Sequence, residues 1–109
     1  MLKYDEDTQT LSMIAKDTGD LLVSLENYDI TDDTVLYFTV NNQLEKQPPL
    51  ISVAVSNFVD NKALIHLSTE DTDLPPGNYL YDIQVNTGND RVDTVIGPGK
   101  FKVLGGVKY

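Results

Sequence analysis

Along most of this chain, apolar and polar positions alternate with a period of two. Tyr79, Tyr81, Ile83 and Val85 fall on one face of an extended segment, and Leu80, Asp82, Gln84 and Asn86 fall on the other. That alternation marks a half-buried β-strand. The same pattern predicts strands over 10–16 with Leu11 and Met13 inward, and over 21–26 with Leu21, Val23 and Leu25 set against Leu22, Ser24 and Glu26. It predicts further strands over 34–41 around Leu36, Phe38 and Val40, over 51–56 around Ile51, Val53 and Val55, and over 63–68 around Ala63, Ile65 and Leu67. After 79–86 come a returning strand over 92–96 and a last one over 100–104, with Phe101 and Val103 inward. Gly97-Pro98-Gly99 is expected to break the chain between these two, since proline cannot donate to a sheet. No stretch shows sustained helical periodicity.

Turn chemistry separates the runs. Polar turns fall at 17–20 and 57–61. Pro75-Pro76-Gly77 precedes the 79–86 strand, and Thr87-Gly88-Asn89-Asp90 follows it as a hairpin turn. The polar connection 29–33 has room for one helical or 3₁₀ turn, and the loop 43–49 ends in Pro48-Pro49. About seven or eight short strands punctuated in this way predict an all-β fold, a two-sheet antiparallel β-sandwich of immunoglobulin-like type. A single domain is expected over 10–107, with 1–9 as a flexible, acidic lead-in. A tyrosine just inside a core strand suits the corner of such folds, where its hydroxyl bonds back to nearby backbone. Tyr79 and Tyr81 both qualify.

Composition narrows the function classes. The chain has 109 residues, enough for one core. Seventeen acidic residues against eight basic ones give a net charge of −9. Such a surface repels phosphate backbones and anionic lipid, so neither nucleic acid nor membrane is an expected partner. There is no cysteine, hence no disulfide framework, thiol nucleophile or cysteine zinc site. The N-terminus lacks the apolar core of a signal peptide, and no apolar run approaches a membrane span. Synthesis in the cytoplasm is expected, with any release from the cell by a route such as lysis.

The candidate chemistry is thin. His66, the only histidine, falls mid-strand on the less apolar face, with no nucleophile elbow near it in sequence. It reads as a strand residue facing solvent or a neighbouring chain. Asp29, Asp32 and Asp33, and likewise Glu70, Asp71 and Asp73, supply hard oxygens of the kind calcium takes. Their spacing is not that of an EF-hand, and aspartate is also an ordinary turn residue. Tyr4, Tyr28, Tyr37 and Tyr109 are candidate sugar-stacking platforms. No carboxylate pair stands out for glycoside hydrolysis, and Gly97-Pro98-Gly99 lacks the lysine of a phosphate loop. The reading is therefore noncatalytic, with no catalytic, cofactor or metal residues assigned and no cofactor.

Four short motifs in order carry a resemblance. Glu70-Asp71-Thr72, then Leu74-Pro75-Pro76-Gly77, then Tyr79-x-Tyr81-Asp82-Ile83-Gln84 resembles the N-terminal domain of phage baseplate upper proteins, components of the tail tips of tailed phages of Gram-positive hosts. Thr18-Gly19-Asp20 resembles that family's early Gly-Asp turn, Tyr37-Phe38-Thr39-Val40 its central strand, and Lys100-Phe101-Lys102-Val103-Leu104 its closing strand. Val107 falls where the domain ends. The resemblance spans roughly 10–107, with 41–61 unmatched. It implies a virion structural module of the tail or baseplate that docks onto tail-tip proteins and positions receptor-binding components. Its partners would be other tail and baseplate proteins and copies of itself, and its location the virion. Members usually continue into a long helical or fibre-linking segment, so the chain suits either a stand-alone protein or a domain of a longer one. The alternatives are an immunoglobulin-like binding module for host-surface carbohydrate or protein, and a head-decoration protein.

Overall fold

A computed structural model describes residues 2–26, 28–42, 49–88 and 92–105. Among them are eight strands: β1 (Lys3–Asp5), β2 (Thr10–Ile14), β3 (Gly19–Ser24), β4 (Val35–Asn41), β5 (Ile51–Val55), β6 (Lys62–Leu67), β7 (Gly77–Asn86) and β8 (Val92–Leu104). They form two sheets. One has six strands in the order β1-β2-β8-β7-β4-β5, and the other pairs β3 with β6. One cluster of buried side chains draws on both: Leu11, Leu36, Phe38, Val40, Tyr81, Ile83, Val85 and Phe101 from the large sheet, and Val23, Ala63, Ile65 and Leu67 from the small one. Burying each large apolar side chain contributes about 1.5–3 kcal/mol.

Phe38 is at the centre of the core. Its ring centroid lies 5.9 Å from that of Tyr81 and 6.2 Å from that of Phe101, in the tilted arrangements aromatic rings favour. Each of the predicted faces turns inward as the alternation requires. Leu11, Met13, Leu36, Phe38, Val40, Ala63, Ile65, Leu67, Phe101 and Val103 are all buried, as are the four alternating residues of β7.

Four expectations need correction. Lys3–Asp5 pairs antiparallel with β2, so the stretch read as a lead-in carries a strand. All three of its side chains are exposed, so no buried face marks it as a strand. The 29–33 connection contains no helix. A single turn there is closed by the Thr34 N–H donating to the Thr31 carbonyl at 3.1 Å. Gly97-Pro98-Gly99 does not break the last strand, because β8 runs through it. The pairing to β7 absorbs the irregularity by register shifts between Tyr81 and Ile83 and between Ile83 and Gln84, a place where a sheet tolerates proline. Finally, the sheet is not wholly antiparallel. β2 runs parallel to β8, Leu11 beside Phe101 and Met13 beside Val103. Parallel neighbours need a long connection, and here nearly the whole domain supplies it.

Glycine is required where β8 meets β7. Gly97 has a φ of +103°, a conformation side chains rarely adopt. A Cβ on Gly99 would lie 2.6 Å from the Gln9 carbonyl oxygen and 2.8 Å from Tyr81 Cε1. The Tyr81 ring therefore lies against the bare backbone of its cross-strand partner Gly99. Pro48, Asn89, Asp90 and Val107, which figure in the predicted loop, hairpin and domain end, lie outside the described residues.

Candidate functional site

The corner at 68–81 is held by a set of side-chain hydrogen bonds. The Ser68 N–H donates to Asp71 Oδ2 at 2.9 Å and the Asp71 N–H to Ser68 Oγ at 3.1 Å, a reciprocal closure of one turn. Thr72 is fully buried, and its hydroxyl donates to the Asp17 carbonyl at 2.6 Å. That bond ties the corner to the turn before β3. The Tyr79 hydroxyl donates to the Pro75 carbonyl at 2.6 Å. Of the two tyrosines considered for a local backbone bond, it is therefore Tyr79 that makes it. Tyr81 reaches 72 positions back along the chain, donating to the Gln9 carbonyl at 2.6 Å. Burial pushes the Tyr81 hydroxyl up to about 12, with Tyr4 adding to the rise. Burial raises Tyr79 as well. Both phenols act as hydrogen-bond donors that hold the backbone.

The acidic loops are put to similar use. Asp71 closes its own turn, and the 31–34 turn is held by Thr31 and Thr34. The Thr31 N–H donates to Thr34 Oγ1 at 2.9 Å, and the Asp33 N–H to Thr31 Oγ1 at 3.2 Å. Among the described residues no group of three His, Asp or Glu side chains converges as a cation site. The candidate tyrosines are dispersed. Tyr4 and Tyr37 are partly exposed, and Tyr28 packs against the core. Tyr109 lies outside the described residues. Tyr37 sits on the outer face of the large sheet between its cross-strand neighbours Ala54 and Gln84. In the next row the Thr39 hydroxyl donates to Asp82 Oδ1 at 2.6 Å.

His66 finds a partner far away in the sequence. It stands opposite Asp20 in the β3–β6 register, with its Nδ1 donating to Asp20 Oδ1 at 2.6 Å. Both side chains are 60% exposed. Sequence reasoning missed this pair because its members are 46 positions apart and only the strand register unites them. The same register places exposed Leu22 directly opposite exposed Leu64. A second surface feature is an open cleft of about 780 Å³ over β1, β2 and β8, lined by Lys3, Lys100 and Lys102 together with Asp5 and Glu6. Its charge is mixed.

No protein-family model matches the chain, and no curated protein matches it. Among solved structures, the chain is similar to a Bacteroides vulgatus protein provisionally named a glycoside hydrolase, at a TM-score of 0.55 and 18% identity. The match covers 89% of this chain and 17% of that one. At that identity the likeness is one of fold: an all-β, sandwich-like arrangement of two sheets.

Proposed function

We propose that the chain is a noncatalytic docking module of immunoglobulin-like form, and that it serves as a structural component of a phage tail or baseplate. The strand order supports the immunoglobulin-like reading. If β3, β4, β6, β7 and β8 stand for strands B, C, E, F and G, then B pairs with E, and C, F and G lie side by side. The observation that carries the reading is the bond from Tyr79 to Pro75. It has the form of a tyrosine corner at the start of strand F, with Tyr81 two positions on, where antibody domains have a cysteine. The tail assignment itself rests on the sequence motifs, the longest of which spans this corner. A stiff sandwich suits such a role, since it presents strand edges and turn tips at fixed spacing to many neighbours, and weak contacts repeated around an assembly add up.

The test is the genomic setting. Several kilobases of flanking sequence should hold tape-measure, tail-tip and lysis genes. Metabolic or surface-adhesin genes in their place would overturn the tail reading.

A second reading has one observation in its favour. Tyr37 shares the outer face of the large sheet with Gln84, Thr39 and Asp82, an aromatic ring beside amide, hydroxyl and carboxylate groups, which is the chemistry that binds a sugar. Glycan-array binding that is lost in Tyr37→Ala would favour a carbohydrate-binding module instead.

A further inference from the structure

The outer face of the small sheet is built in three rows. Asp20 stands opposite His66, Leu22 opposite Leu64, and Ser24 opposite Lys62. The middle row is apolar and open to solvent, Leu22 being 61% and Leu64 54% exposed. Val59, 73% exposed, extends it at the bridge to Lys62. Leu22, Leu64, Val59, Val55, Asp60 and Lys62 line one open groove of about 450 Å³. Single exposed leucines are ordinary on protein surfaces, but a cross-strand pair joined to a valine is a contiguous patch, and such patches mark interfaces.

We propose that this face binds a second copy of the same chain, forming a two-fold symmetric dimer. The rows select the geometry. A two-fold axis lying between the two faces and parallel to the strands sets β3 of one copy over β6 of the other. Leu22 then packs on Leu64 of the second copy, Asp20 faces its His66, and Ser24 faces its Lys62. Each contact occurs twice, as an isologous interface requires, and each joins groups that suit one another. A two-fold axis across the strands would set His66 over Lys62 and leave Asp20 over Ser24, with no opposite charge in reach. Pairing through the open edge of β3 would leave the two leucines in water. Aligned packing of two sheet faces is also the ordinary way sheets stack. The leucines supply the attraction and the polar rows set the orientation.

The contact is small. Strands of six residues at a rise of about 3.3 Å make a strip about 20 Å long and two strands wide. That is well below the roughly 800 Å² per partner of a stable complex. A contact of this size makes a weak dimer, one that becomes effective when copies are held close together. The proposal does not depend on which assembly holds them.

Sedimentation equilibrium of the full chain from about 10 µM to about 1 mM, a range that brackets such weak association, tests it. The expected result is a concentration-dependent shift from monomer towards dimer. Leu22→Ser with Leu64→Ser should weaken association at least tenfold while circular dichroism and melting stay unchanged. Asp20→Lys should also weaken it, and the exchange Asp20→His with His66→Asp should restore it, because the exchanged row remains complementary. A monomer throughout the range would overturn the proposal. So would dimerisation that persists undiminished in the leucine variant, since another surface would then be responsible. Neither outcome bears on the genomic test of the tail reading.

Discussion

β7 and β3 follow the same alternation and treat it differently. In β7 every large inward residue is buried, and the outward positions carry Asp82, Gln84 and Asn86 with the half-buried Leu80. In β3 the inward Val23 is buried, yet the outward phase carries Leu22. β6 repeats the departure with Leu64. The strand that supplies much of the core has an outer face suited to water, whereas the two strands of the small sheet share an apolar row facing away from the core. Alternation thus reports two things. Its regular part defines the core, and an apolar residue on the polar phase marks a surface in need of a partner, most clearly when a neighbouring strand supplies a second one in register.

Substitutions on the two faces should differ in size of effect. The largest effect belongs to the inner face. Tyr81→Ala should cost about 3–5 kcal/mol and Ile83→Ala about 2–5 kcal/mol, read by denaturant unfolding. Near-normal stability in both would refute the assignment of this face to the core. Gly99→Ala should cost about 1–3 kcal/mol, because the added methyl meets the Tyr81 ring and the Gln9 carbonyl. A silent change there would mean that β8 does not approach so closely. Thr72→Val should cost about 1–2 kcal/mol, leaving the Asp17 carbonyl without its hydroxyl partner.

Alkali tests the same inner face by another route. Below about pH 10, the ordinary phenol range, Tyr79 and Tyr81 are protonated in both folded and unfolded chains. Above it the unfolded chain loses protons that the folded chain retains, so stability falls as the pH rises from there through about 12. Tyr79→Phe with Tyr81→Phe should flatten that decline. The smallest effect belongs to the outer face. His66→Ala should change stability by no more than about 0.5 kcal/mol, because its hydrogen bond with Asp20 is exposed. A larger loss would make that pair part of the fold.

Much of the fold was legible in the chain. Leu36, Phe38 and Val40, or Ala63, Ile65 and Leu67, need no structure to be read as one side of a strand, because burying that side is what stabilises it. Other features left no such trace. Lys3–Asp5 pairs with β2 through its backbone, and a strand with exposed side chains has no hydrophobic period. The passage of β8 through Gly97-Pro98-Gly99 depends on a shift of register against β7, a property of two strands together. The parallel neighbour of β2 and the pairing of Asp20 with His66 depend on long-range pairing, which local alternation does not encode. Of the candidate site residues, His66 was placed on the correct face, while its partner and the leucine row beside it emerged only from the register.

The inner face holds the fold and the outer face of the small sheet holds a second copy, a division that one paired experiment can separate. Tyr81→Ala and the double variant Leu22→Ser, Leu64→Ser are each measured for thermal melting and for self-association. That division predicts a large fall in Tm for the first, and an unchanged Tm with lost association for the second. A large fall in Tm for the leucine variant, or a normal one for Tyr81→Ala, would contradict it.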